Sequence, residues 1–271
     1  KSAEILGTTF KPYGQASIYL FSIVLAAMSC SLTSCNSSDD DLENESIVPP
    51  QETVTITDTR KSIATEMLTI PYHELAFSAS GNTEKPCLVI YLHGGTSSGD
   101  DNEKQMEEAG IDSISNYLKA HQKNAVFLVP QCPNRQYWIG PAKNVLGELI
   151  DQYVADGKVD EKQIYLFGGS MGGTGTWGML AAYPNLFAAA MPVAGDPTKA
   201  GEYNSNTPVF TVMGTEDDLM DMFTAESFVE QLKAQNVDAR IEIEEGWTHE
   251  MTCIESYTTS RLDWVFSHKH N

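Results

Sequence analysis

Positive charge is scarce in this chain of 271 residues: 17 lysines and arginines stand against 37 aspartates and glutamates, a formal net charge of −20. That balance excludes a nucleic-acid partner and a polybasic patch for an anionic membrane surface. Cysteine is scarce too, with five in all. No cysteine pair has metal-ligand spacing and no two histidines lie one helical turn apart, so no metal centre is expected. Long apolar runs are also few. The longest, "ASIYLFSIVLAAMSCSL" at residues 16–32, is short for a membrane-spanning helix. With 41% hydrophobic and 9% aromatic residues overall, the chain is able to build a sizeable core.

The apolar run has Lys1 and Lys11 upstream and ends in "LTSC", residues 32–35. It reads as a secretory signal segment over 1–35 that resembles a bacterial lipobox, with Cys35 as the lipidated residue. Cys30 fits less well, because "AMSC" lacks the larger aliphatic residue three positions earlier. Residues 36–51 carry Asp39, Asp40, Asp41, Glu43 and Glu45 and no base. This is the composition of an acidic disordered tether, and it resembles the export signal of surface lipoproteins. The expected localisation is therefore an exported bacterial lipoprotein, held at the outer membrane by its lipid alone and exposed at the cell surface.

From residue 52 to 271 strand and helix patterns alternate. "CLVIYLHG", "AVFLVPQ" and "KQIYLFGG" are continuous apolar runs of the kind a strand buried on both faces needs. Between and after them, "DSISNYLKAHQ", "KNVLGELIDQYVADG", "TGTWGMLAAYP", "TAESFVEQLKAQN" and "SYTTSRLDWVFSHK" read as helices, with Thr224 as the expected N-cap of the fourth. "TVTIT" and "EMLTI" read as an opening hairpin or edge pair, and "FAAAMPVAG", "PVFTVMG" and "ARIEIEEG" as later strands. The alternation predicts an α/β fold, with one mostly parallel sheet covered by helices on both faces.

"GGSMG", residues 168–172, fits G-x-S-x-G between a buried strand and a helix. That setting predicts a nucleophile elbow, with Ser170 in a strained turn and the Met171 N–H free to hold an oxyanion. A serine hydroxyl needs a base. Among the histidines, His249 in "EEGWTHEMT" follows the last strand, where the base is placed by the order serine, acid, histidine. The acid belongs after the preceding strand, where Asp217, Asp218 and Asp221 all qualify. "YLHGGT", residues 91–96, ends a buried strand and offers the Gly95 N–H as a second oxyanion donor, with His93 bracing the turn. Cys132 and Cys253 both follow strands near this rim, so a disulfide between them is expected, with three free thiols as the alternative.

These segments, with "VPQCPNRQYW", "YPNLFAAAMPVAG" and "GWTHE" in the same order, resemble the α/β-hydrolase fold. Within it the likeness is to the compact secreted esterases related to feruloyl esterases, acetylxylan esterases and polyhydroxybutyrate depolymerases. The resemblance implies Ser170 as nucleophile, His249 as base and Asp217, in "MGTED", as acid. Met213 stands where that family usually has histidine. The resemblance also brings Trp138 to the mouth of the site, with Tyr137 and Trp247 as further substrate contacts; for Tyr137 and Trp138 core packing is an equal reading. Residues 195–207 leave no room for a lid domain. The expected activity is a serine carboxylic-ester hydrolase acting on acetyl or feruloyl esters of glycans, without metal or organic cofactor. Two alternatives stay open: an amidase or exopeptidase with the same three residues, and a non-catalytic glycan-binding surface lipoprotein.

Overall fold

The computed structural model describes residues 53–270. The expected signal segment, Cys35 and the acidic tether lie outside them. The described residues begin with two eleven-residue strands, β1 (Val54–Ala64) and β2 (Thr69–Ala79), paired antiparallel over their whole length. β1 is longer than its apolar pattern predicts. It is an edge strand, mostly exposed, so pairing with β2 rather than burial sets its extent.

The buried centre follows: β3 (Cys87–Leu92), β4 (Ala125–Pro130), β5 (Ile164–Gly169) and β6 (Ala189–Val193). β7 (Val209–Glu216) and β8 (Ala239–Thr248) complete one sheet of eight strands, in the order β1-β2-β4-β3-β5-β6-β7-β8. β2 meets β4 antiparallel, and from β4 onward every neighbouring pair is parallel. Strand alternation divides the core in two. Leu88, Ile90 and Leu92 of β3 join one cluster, while Val89 and Tyr91 join the other.

Helices cover both faces, as the pattern predicts. α2 (Pro141–Ala155), α3 (Met171–Ala182) and α4 (Met222–Ala234) bury Leu146, Leu149, Trp177, Leu180 and Val229 against the first cluster. α1 (Ala109–Ala120) and α6 (Thr259–Phe266) bury Ile114, Leu118, Leu262 and Val265 against the second. Each such side chain, taken fully out of water, contributes about 1.5–3 kcal/mol.

Two local expectations are corrected and one gap is filled. α4 is capped by Asp221, whose carboxylate accepts the Phe223 N–H, so the helix begins two residues before Thr224. A short helix, α5 (His249–Glu255), fills a stretch to which the sequence pattern assigns no element, because Thr248 caps it through the Met251 N–H. Cys87, Cys132 and Cys253 are all free thiols. Cys132 belongs to the first core cluster and Cys253 packs against the second, so the sheet lies between them and the expected disulfide has no path.

Candidate active site

The carboxyl ends of β3, β5, β7 and β8 all release their chains at one edge of the sheet, where open parallel sheets form clefts. β5 ends at Gly169, and the chain turns through Ser170 into α3. Ser170 has φ 57° and ψ −117°, a backbone conformation that costs an L-residue about 1–3 kcal/mol. Its N–H donates to the Val193 carbonyl at 3.0 Å, which holds the turn against β6. The flanking glycines are explained by contact. A Cβ on Gly168 would lie 2.4 Å from the Gly172 carbonyl oxygen, and one on Gly172 would lie 1.8 Å from that of Leu92. Only bare backbone lets the turn close this tightly against β3.

His249 opens α5, and its ring joins two distant segments. Nε2 lies 2.7 Å from Ser170 Oγ, and Nδ1 lies 2.8 Å from Asp217 Oδ2. The Asp217 side chain is fully buried, and that of His249 is 14% exposed. Asp217 Oδ1 accepts the backbone N–H groups of Leu219 and Met220, both at 2.9 Å. Those two donors turn the carboxylate so that its other oxygen faces the imidazole. Nδ1 then carries the proton, and the Nε2 lone pair is left for the serine hydroxyl. Asp218 is exposed and Asp221 caps α4; neither bonds His249.

The second loop starts at the end of β3. Gly94 leads into a single 3-10 turn at Gly95–Ser97. Among the described residues neither the Gly95 N–H nor the Met171 N–H has a protein acceptor, and both residues line the cavity at Ser170. His93 lies beneath this loop. Nδ1–H donates to the Gly94 carbonyl at 2.6 Å, and Nε2 accepts the Cys132 N–H at 2.8 Å. Burial pushes the His93 imidazole down to about 4, so it stays neutral and works as a brace. Glu108 supports the loop from the other side. Its Oε1 accepts the Gly94 N–H at 3.0 Å and the Ser97 hydroxyl at 2.6 Å. Sequence reasoning missed Glu108, because a glutamate just before a helix carries no mark of a contact made fourteen residues back.

The cavity at Ser170 holds about 420 Å³. Tyr137, Ile139, Leu219 and Met220 form its apolar walls, and Thr174, Asp196 and Lys199 add polar groups. Tyr137 is 63% exposed at the mouth. Trp138 is fully buried, donates its indole N–H to the His93 carbonyl at 3.0 Å and forms part of the floor. Its two readings, core packing and site lining, thus hold together. Trp247 does not line the cavity. It packs against the second core cluster with the Arg261 guanidinium 5.8 Å from its ring centre, because its place on β8 turns it toward α6. The expected substrate contact by Trp247 is corrected accordingly. Cys253, one turn beyond His249 on α5, sets its Sγ 4.0 Å from Nε2, and burial pushes the thiol up to about 12. Between β6 and β7 the described chain forms one 3-10 turn, Pro197–Ala200, and no lid.

Comparison with known proteins agrees with this architecture. Residues 138–260 match the model of the dienelactone hydrolase family. The chain is 30% identical over 146 residues to poly(3-hydroxyalkanoate) depolymerase C of Paucimonas lemoignei, covering 49% of this chain and 33% of that one. It is 32% identical over 91 residues to a bifunctional acetylxylan esterase/xylanase of Neocallimastix patriciarum, covering 33% of this chain and 14% of that one. The chain thus spans a third or less of the length of these curated relatives. Among solved structures, a thermostable esterase superposes with a TM-score of 0.66 at 22% identity, over 78% of this chain and 63% of that one. From its sheet order, its loops and these matches, the chain has the α/β-hydrolase fold, and its residues 138–260 are similar to the dienelactone hydrolase family.

Proposed function

We propose that this chain is a serine carboxylic-ester hydrolase that works through an acyl-enzyme on acetyl or feruloyl esters of glycans. The observation that carries the reading is the bonded series Ser170 Oγ, His249 Nε2, His249 Nδ1 and Asp217 Oδ2, at 2.7 and 2.8 Å. Ser170 attacks the ester carbonyl as His249 takes its proton. The tetrahedral oxyanion falls between the free N–H groups of Gly95 and Met171 and is held by them. His249, held by Asp217, then protonates the leaving alcohol, and the acyl group stays on Ser170 Oγ. Water adds to the acyl carbon as His249 takes its proton; the carboxylic acid leaves, and the proton returns to Ser170.

The similarity to a poly(3-hydroxyalkanoate) depolymerase and to a bifunctional acetylxylan esterase/xylanase supports an ester on a polymer as substrate. The open cavity supports it as well, since among the described residues no lid encloses the leaving-group side. Export and lipidation at Cys35 would set the site outside the cell, where such polymers are met.

The test is reaction with an alkyl fluorophosphonate, followed by mass mapping of the label. Labelling of Ser170 together with turnover of p-nitrophenyl acetate supports the reading; an unlabelled, inactive protein refutes it. Matched ester and anilide substrates separate esterase from amidase, and the esterase reading requires the ester to be turned over far faster.

A further inference from the structure

The cavity at Ser170 continues past its apolar walls. Asp196, Leu219 and Met220 are shared with a second cavity of about 200 Å³. Thr198, Asp221 and Thr224 of that cavity are shared with a third, of about 320 Å³, which reaches Phe223. The three form one groove, running from the nucleophile between the 3-10 turn after β6 and the N-terminal end of α4.

The chemistry changes along it. Near Ser170 the walls are Tyr137, Ile139 and Leu219. Farther on come two carboxylates and two hydroxyls. Asp196 Oδ1 accepts the Thr198 N–H at 2.9 Å and its hydroxyl at 2.6 Å. Asp221 accepts the Phe223 N–H at 3.2 Å and the Thr224 hydroxyl at 2.5 Å. These bonds fix both carboxylates and leave each with acceptor capacity, since an ionised carboxylate offers about four lone-pair positions. The only cation in the first stretch, Lys199, is 4.0 Å from Asp196 Oδ2, so the groove is acidic and disfavours an anionic occupant. Phe223 is 65% exposed. A phenyl ring left in water beside fixed acceptors matches a neutral sugar ring, which has a C–H face for stacking and hydroxyls at its edge.

We infer that this groove holds the glycan of the ester's alcohol side, with the acyl group against Tyr137 and Ile139, and Phe223 as the stacking platform for a sugar beyond the esterified one. The inference rests on the ester-hydrolase reading above. Asp196 and Asp221 accept sugar hydroxyls, and groove occupancy aligns the ester carbonyl with Ser170. The gain is therefore expressed in kcat/KM for glycan esters and not for esters of small alcohols.

The experiment compares kcat/KM for a feruloylated xylo-oligosaccharide with that for methyl ferulate, in the wild-type chain, Phe223→Ala and Phe223→Tyr. The wild type favours the oligosaccharide ester. Phe223→Ala lowers the ratio of the two by about tenfold and Phe223→Tyr retains it, the loss of one aromatic contact being of that order. In parallel, acyl-free xylo-oligosaccharide is titrated calorimetrically into Ser170→Ala with and without Phe223→Ala; binding seen in the first and lost in the second supports the groove. A wild-type ratio near one, or a ratio unmoved by Phe223→Ala, overturns it and leaves the hydrolase reading standing. Oligosaccharide binding with no hydrolysis of either ester removes the hydrolase reading and the alignment step, while the glycan groove stands.

Discussion

Gly95→Pro removes one hydrogen-bond donor and almost nothing else. Gly95 is the first residue of a 3-10 turn, where proline is tolerated because that N–H has no helical partner. Gly94 has φ −71° and ψ 171°, in the extended region that a following proline requires. A Cβ at Gly95 meets nothing within 4 Å. The fold should therefore lose less than about 1 kcal/mol, well below the cost of proline in a helix interior. In the proposed mechanism the lost donor is one of the two that face the developing oxyanion. Removing such a donor costs about 10²–10³ in kcat, or about 3–4 kcal/mol of transition-state stabilisation. Because the oxyanion exists only after attack, KM should stay within about threefold while kcat falls. The assay is initial rate against p-nitrophenyl acetate concentration, with thermal unfolding of the same sample. An unchanged melting temperature with kcat within about fivefold of the wild type would refute the role given to the Gly95 N–H. Gly95→Ala, which retains the donor, should recover most of the rate.

Ser170→Ala should lower kcat by about 10⁶ with the fold intact, and residual turnover above a few per cent would remove Ser170 as nucleophile. Asp217→Asn should lower kcat by about 10⁴. The Leu219 and Met220 N–H groups hold the amide oxygen, so the amide NH₂ faces His249 Nδ1 and imposes the wrong tautomer. Asp218→Asn, at an exposed position, serves as the control and should remain within about twofold. His93 sets an acid limit on stability. Unfolded it binds a proton near its ordinary value of about 6.5. Folded it does so only near 4, because it is buried. Between these values the unfolded state holds more protons, so stability present above the upper value is lost as pH falls toward the lower, by about 3 kcal/mol in total. Melting temperatures from pH 7 to pH 4 should fall more steeply for the wild type than for His93→Gln, and parallel curves would refute the account. Gly172→Ala should destabilise the fold by about 3 kcal/mol or more, since its Cβ would lie 1.8 Å from the Leu92 carbonyl oxygen and neither backbone is able to yield. Denaturant unfolding measures the loss, and a drop under about 1 kcal/mol would show that α3 moves off β3 freely.

Local order was legible in the chain itself. Continuous apolar runs predicted β3, β4 and β5, and glycines on both sides of Ser170 predicted a turn too tight for side chains. Both signals depend on periodicity or backbone permissiveness within a few residues. The sheet class follows from them, because buried strands alternating with helices leave little choice but a parallel, doubly covered sheet. Tertiary structure decided whatever depends on the direction a side chain takes. Asp217, Asp218 and Asp221 look alike as residue types; the Leu219 and Met220 N–H groups turn Asp217 toward His249, while α4 takes Asp221 as its cap. Cys132 and Cys253 both follow strands, yet the sheet separates them. Trp247 lies two residues before His249 and still turns toward Arg261, away from the cavity. Glu108 and the groove to Phe223 bring together segments far apart in sequence, and such contacts arise only when the sheet orders its loops along one edge.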